Sequence, residues 1–220
     1  MSSAADRRQQ ILDDIAAAAA LAKRDPAQIQ LIAVSKGRSA KEIEELIEAG
    51  QRDFGENRVQ EALRKWPALR HRYPEVRIHE IGRLQSNKAR EALNLFDTVH
   101  SLDRKSLLEA LGKEADKTGK TPSVYVQVNI GEEKQKGGCA IDEVGELVAA
   151  VGASPLHLAG LMAIPPLGAE PGPYFALLAK LARRHEVTGL SIGMSADFKA
   201  AVMLGATAVR VGTALFEDGC

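Results

Sequence analysis

Eight short runs rich in Val and Ile, spaced along 220 residues with amphipathic stretches between them, constrain this chain more than any other feature of its sequence. The runs are 29-IQLIAVSK-36, 52-RDFGE-56, 77-RIHEIG-82, 97-DTVHSL-102, 123-SVYVQVNI-130, 157-HLAGLMAI-164, 189-GLSIGM-194 and 208-AVRVG-212. Each has the length of a strand, and the stretches between them carry the helical period. In 39-SAKEIEELIEAG-50, Ile43, Leu46, Ile47 and Gly50 fall on one face, and Ser39 with Glu42 three residues later reads as a capping box. Strands alternating with helices imply right-handed crossovers and parallel pairing. Eight such units predict a single α/β domain over residues 1–220, a closed (β/α)8 barrel of the TIM type, for which about 200 residues is the lower limit. An open doubly wound sheet is the alternative. It usually has a glycine-rich first turn, whereas the turn here is 35-SKGRS-39, without GxGxxG.

The alanine-rich start does not read as a signal peptide. Asp13 and Asp14 interrupt the approach, and Lys23, Arg24 and Asp25 follow at once. Ile11, Ile15, Ala18 and Ala22 fall on one helical face, so residues 1–25 are expected to form an extra helix packed on the barrel. No run approaches the ~18 apolar residues of a membrane span. Formal net charge is zero, which gives no global pull toward nucleic acid or a membrane. The basic, aromatic stretch from Arg58 to Arg77, with Trp66 and Tyr73, has mixed, helically spaced charges and reads as a solvated face rather than an RNA surface. Cys139 and Cys220 make no disulfide framework and lie near no CxxC or His pair, which points to a reducing cytoplasm and no metal site. The stretches 165-PPLGAEPGP-173 and 131-GEEKQKGG-138 read as long strand-to-helix loops, the second made mobile by its paired glycines.

In such a barrel the functional site lies at the carboxyl ends of the strands. The polar residues there are Lys36, then Glu56 and Asn57, His79, Ser195, and Arg210 before Gly212 and Thr213. Lys36 closes a nearly continuous apolar strand. A lysine shielded there would have the lowered basicity that lets an amine attack an aldehyde; the alternative is a surface lysine. Ser195 precedes the helical pattern 196-ADFKAAVMLG-205 and, with Gly212 and Thr213, would cradle an anion, or would be only an N-cap beside a tight turn. Arg210 either faces an acceptor on a ligand or pairs with a neighbouring acid. His79 either stacks on or hydrogen-bonds a ligand, or is a structural histidine. Asn57 is an N-cap or an amide reaching a ligand hydroxyl.

At these residues the chain resembles the pyridoxal phosphate homeostasis protein family, also labelled proline synthase co-transcribed proteins. The resemblance spans nearly the whole chain and rests on 33-AVSK-36, 54-FGENRVQEA-62, 81-IGRLQSNK-88, 98-TVHSLD-103, 160-GLMAIPP-166, 190-LSIGMSADF-198 and 207-TAVRVGTALF-216. It implies a barrel like the amino-terminal domain of alanine racemase, binding pyridoxal 5'-phosphate (PLP) as a Schiff base on Lys36. Ser195, Gly212 and Thr213 would then hold the phosphate, Arg210 would face the pyridine nitrogen, and Asn57 and His79 would lie around the ring. An always-charged arginine leaves that nitrogen unprotonated, which makes the ring a poorer electron sink. Two departures stand out. The third-strand motif commonly reads WHFIG in the family and is 78-IHEIG-82 here, and the chain ends 215-LFEDGC-220 instead of with a glycine directly after the phenylalanine.

A racemase needs an acid or base on each face of the substrate carbon. Alanine racemase takes its second group, a tyrosine, from an additional domain of the partner subunit, and Tyr73, Tyr125 and Tyr174 do not obviously lie at the predicted mouth. The expectation is therefore not an enzyme but a PLP carrier or buffer with little or no turnover. It would be cytoplasmic, a monomer or weak dimer, with apo PLP-dependent enzymes as partners and Lys134 or Lys136 as candidates for a secondary site or a handover step. The alternatives are a small fold-type III PLP enzyme such as an amino-acid racemase, and a PLP-free sugar-phosphate barrel enzyme using Lys36 as its imine-forming amine.

Overall fold

In a computed structural model, which describes residues 2–217, all eight expected strands form and close into one parallel barrel in the order of the chain. Asp218, Gly219 and Cys220, the last three residues of the C-terminal departure, lie outside the described residues. Helix α1 (Ala4–Leu21) precedes the barrel. The repeating units are β1 (Gln30–Val34) with α2 (Ala40–Glu48), β2 (Asp53–Glu56) with α3 (Val59–Arg72), β3 (Arg77–Glu80) with α4 (Ala89–Leu95), and β4 (Thr98–Leu102) with α5 (Lys105–Thr118). They continue as β5 (Ser123–Gln127) with α6 (Val144–Gly152), β6 (His157–Met162) with α7 (Gly172–Arg184), β7 (Leu190–Ser191) with α8 (Phe198–Met203), and β8 (Ala208–Val211) with α9 (Thr213–Phe216). β8 pairs with β1 from Gln30↔Ala208 to Ala33↔Val211, which seals the sheet.

The amphipathic pattern set the packing as expected. Ile43, Leu46 and Ile47 are the buried face of α2, and Ser39 caps that helix with both halves of its box: Glu42 N–H donates to Ser39 Oγ, and Ser39 N–H donates to Glu42 Oε2. On α1 the buried residues are Ile11, Ile15, Ala18 and Ala19. The apolar core is a shell between the sheet and its helices, with Leu31, Ala33, Phe54 and Ile78 from the strands meeting Leu46 and Trp66 from the helices. Ile32, Tyr125, Met162 and Ala208 are equally buried but stand outside that shell, lining the barrel interior. Among the described residues, no helix is long and apolar enough to cross a membrane, and no group of three His, Cys, Asp or Glu is placed to hold a metal. Trp66 is fully buried, as a core residue and not an RNA contact.

The 131–138 loop is tied down rather than loose. Asn129 exchanges hydrogen bonds with Glu133, Lys136 donates to Pro165 O (3.1 Å), and Val128 bridges to Cys139. Lys134 stays exposed at its tip.

Because the Ser39 cap is exposed and local, Ser39→Ala should cost about 1 kcal/mol without altering the fold. A lowered denaturant midpoint with unchanged slope and far-UV spectrum would show it.

Candidate functional site

β1 ends at Val34, so Lys36 is not a strand residue as the apolar run suggested. It sits in a turn closed by Arg38 N–H donating to Ser35 O (3.1 Å), with Gly37 at φ 72° in the left-handed third position that such turns require. The Lys36 side chain is exposed, so the shielding expected of it is absent. Its place in the sheet is nonetheless central. On one side the pairing Val34↔Gly55 runs on toward Asn57; on the other, Ala33↔Val211 runs on toward Gly212 and Thr213. A Cβ on Gly212 would lie 3.4 Å from Val34 Cβ, so these two strand ends are in contact.

Gly212 N–H donates to Ser195 Oγ (3.2 Å), which joins the loops after β7 and β8. Ser195 is half-buried and Thr213 exposed. Ser195 does not open a helix, however. Asp197 Oδ1 accepts from Met194 N–H (2.6 Å) and holds a turn there, and α8 starts only at Phe198 with Asp197 as its N-cap. Asn57 is likewise not an N-cap: α3 begins at Val59 with Arg58 in that position. The Asn57 backbone instead packs against Gly82, where an added Cβ would come within 2.3 Å of Asn57 O.

Arg210 points into the barrel and is buried. The ion-pair alternative fails, because none of the described acids contacts it. Its guanidinium donates to Ser191 Oγ (2.5 Å), Ser191 O (2.7 Å) and Ala163 O (3.2 Å). Burial lowers its pKa to about 10, so it remains charged at neutral pH.

From Arg210 a polar chain that sequence reading did not find crosses the interior. Ser191 Oγ meets His100 Nδ1 (2.8 Å), His100 Nε2 meets His79 Nδ1 (3.0 Å), and His79 Nε2 meets Asp53 Oδ1 (3.0 Å). Asp53 closes on Arg77 Nε and Nη2 (2.7 and 2.8 Å) at the opposite end of the strands. One proton arrangement satisfies every link. In it Arg210 donates to the serine, the serine to His100, His100 to His79 and His79 to the carboxylate. Burial first, then the adjoining His79 ring and the Arg210 guanidinium, hold His100 well below the ordinary histidine range. Asp53 is held below the ordinary carboxylate range: burial opposes its charge, but the bonds from His79 and Arg77 prevail. His79 is therefore a structural link below the mouth. Both its nitrogens are engaged, which closes the expected hydrogen bond to a ligand. Tyr125 is also inside the barrel, stacked on His100 at 4.4 Å and 16°.

Glu56, read as a mouth residue, faces the helices instead. Its Oε1 accepts from Ser35 Oγ (2.7 Å), Lys65 Nζ (2.8 Å) and Trp66 Nε1 (3.0 Å). Beside it in register stands Glu80, the departure in the third-strand motif, also buried. Glu80 Oε1 accepts from Gly82 N–H (2.9 Å), while the Oε2 atoms of both acids are buried without a partner. Burial pushes Glu80 up to about 8, the Gly82 amide opposing and the Glu56 carboxylate adding to the shift. Glu80 is thus a neutral acid at pH 7. A cavity of about 640 Å³ under α1, lined by Ser3, Arg7, Glu45, Glu48 and Phe216, holds none of these groups.

The arrangement brings an exposed amine, the hydrogen-bonded loops after β7 and β8, and a buried arginine with no described acid against it to one end of the barrel. Residues 8–218 match the family model described as alanine racemase, N-terminal domain. The chain is 40% identical over 230 residues to the pyridoxal phosphate homeostasis protein of Escherichia coli K12, covering 98% of this chain and 97% of that one. The chain belongs to the pyridoxal phosphate homeostasis protein family. A second member, from Pseudomonas aeruginosa PAO1, is 41% identical over 98% of this chain and 96% of its own. PipY of Synechococcus elongatus PCC7942, solved with PLP bound, superposes with a TM-score of 0.77 at 40% identity, covering 92% of this chain and all of that one.

Glu80 generates a pH test. A carboxyl whose folded pKa is raised from 4.5 to about 8 contributes stability that is full below pH 4.5 and lost as pH rises through 8. The melting temperature of the native protein should therefore fall relative to Glu80→Gln by roughly 5–10 °C between pH 4.5 and 8.5. Parallel curves for the two proteins in thermal unfolding would show that Glu80 does not titrate in this window.

Proposed function

We propose that this chain binds PLP through Lys36 and holds it in reserve for apo PLP-dependent enzymes in the cytoplasm, with little or no turnover of its own, as a monomer or weak dimer. The observation that carries this reading is the contact of Gly212 with Val34, which sets the Ser195–Gly212–Thr213 loops beside the turn that bears the Lys36 amine. The cofactor supplies an aldehyde that an amine captures reversibly.

The residues present fit that group. Ser195 with Gly212 and Thr213 would hold the phosphate, and Asn57, beside Lys36 in the sheet, would flank the ring. Arg210 is a buried cation with no acid against it, suited to a ring nitrogen that accepts. As a permanent donor it would keep that nitrogen unprotonated, and Ser191, His100, His79 and Asp53 orient the guanidinium from below. A ring so held is a weak electron sink, which supports storage over turnover. The histidines support it too: both nitrogens of each are engaged, so neither is free to move a substrate proton.

Lys36→Ala should abolish the visible absorption band of the loaded protein and its fixation by borohydride, while leaving the thermal unfolding of the stripped protein unchanged. A full band in that variant would place the cofactor on another lysine, Lys134 being an exposed candidate. Incubation of loaded protein with single-enantiomer alanine or serine should give no sustained inversion, followed by chiral chromatography; catalytic inversion would make the chain a racemase.

A further inference from the structure

The backbone on both sides of Lys36 is held by charged side chains from a neighbouring unit, while Lys36 itself is left free. Ser35 N–H donates to Gly55 O (2.9 Å), and Ser35 Oγ to Glu56 Oε1 (2.7 Å). Ser35 O accepts from Lys65 Nζ (2.8 Å). Across the turn, Gly37 N–H donates to Glu61 Oε1 (2.6 Å). Lys65 is the centre of this arrangement. Its ammonium reaches Ser35 O, Glu56 Oε1 (2.8 Å) and Glu61 Oε1 (2.9 Å), which uses all three of its donors. Its side chain is only 11% exposed, and Glu56 is fully buried.

Glu61 and Lys65 lie one turn apart on α3, an ordinary spacing for a helical ion pair. Surface pairs of that kind contribute little. Here the pair faces inward and is joined to a third charge, and its remaining hydrogen bonds go to the two peptide units that flank Lys36. The turn cannot shift along the rim without breaking bonds to charged groups, each stronger than a neutral one. The Lys36 side chain is exposed and makes no hydrogen bond or ion pair among the described residues.

We propose that Lys65, with Glu56 and Glu61, is a positioning clamp that fixes the Lys36 turn so that its amine meets the aldehyde of a molecule already seated by the anion cradle. The proposal rests on Lys36 being the residue that captures PLP. The clamp acts on the turn alone: it has no role in gripping phosphate or ring. That separates two vitamers. PLP carries the aldehyde, whereas pyridoxamine 5'-phosphate has the same ring and phosphate but an amine in its place, so Lys36 cannot capture it.

The test uses full-length protein stripped of cofactor, in native form and as Glu61→Gln and Lys65→Met. PLP capture is followed by visible absorption and by borohydride fixation, and pyridoxamine 5'-phosphate binding by calorimetry. Each variant should capture PLP at least about tenfold more slowly and more weakly, the scale of one lost hydrogen bond to a charged group. Pyridoxamine phosphate affinity should stay within about twofold of native. Equal losses for both vitamers would show that the cluster merely supports the fold, and no loss for either would show that the turn needs no clamp; both results overturn the proposal. If Lys65→Met leaves the buried Glu56 unpaired and fails to fold, Glu61→Gln, whose side chain is 25% exposed, decides the matter alone. Lys36→Ala protein that still yields a fixed adduct would remove the capture site itself, a failure distinct from the other two because it appears without touching the cluster.

Discussion

The hydrogen bonds that join β8 to β1 close the sheet, and in closing it they set the turn at residue 36 beside the loops at 195 and 212 from the far end of the chain. No local segment contains the site. Remove the β1–β8 seam and the Lys36 amine, the Ser195–Gly212 loops and an inward arginine lie on separate units with nothing to align them. The seam itself is only backbone, four paired positions, and needs no side chain to specify it beyond the apolar shell that packs both strands against the helices.

Inside the closed sheet a polar chain runs beside Ile32, Tyr125 and Met162, where such barrels commonly stack branched aliphatic side chains. A buried arginine without a contacting acid is costly unless its donors are satisfied. Here the balancing negative charge stands at the opposite end of the strands, on Asp53, with a serine and two imidazoles between. In the proton arrangement that runs from Arg210 to Asp53 each group donates in the same direction, so the dipoles add instead of cancelling. The mouth therefore feels an oriented column behind Arg210, anchored outside by Arg77.

Much of this was legible in the sequence, and the gaps have physical causes. The eight apolar runs gave their strands because their length and spacing were unambiguous, and Ser39 with Glu42 marked a real cap. Lys36, Ser195 and Arg210 were singled out because polar residues in or just after apolar runs are conspicuous, and they carry the proposal made above. Which face each strand turns inward was hidden, since strands buried on both sides show no alternation. Hence Glu56 was placed at the mouth when it faces the helices, and His100, Ser191 and Asp53 went unnoticed although each lies in a quoted run. Helix starts at Asn57 and Ser195 were set two or three residues early because competing contacts, the Gly82 approach and the Asp197–Met194 turn, delay the helix. Glu61 and Lys65 looked like solvated helical charges because nothing in their spacing reveals that the neighbouring turn lies against them.

The saturation of Lys65 has a chemical consequence for how this rim meets electrophiles. Two primary amines stand within one small neighbourhood, one with every hydrogen directed at a fixed oxygen and the other free to rotate in solvent. To react, the first would have to abandon two carboxylates and a carbonyl at once; the second gives up nothing but water. The fold thus makes a chemoselective distinction between two identical functional groups by controlling what their protons are doing.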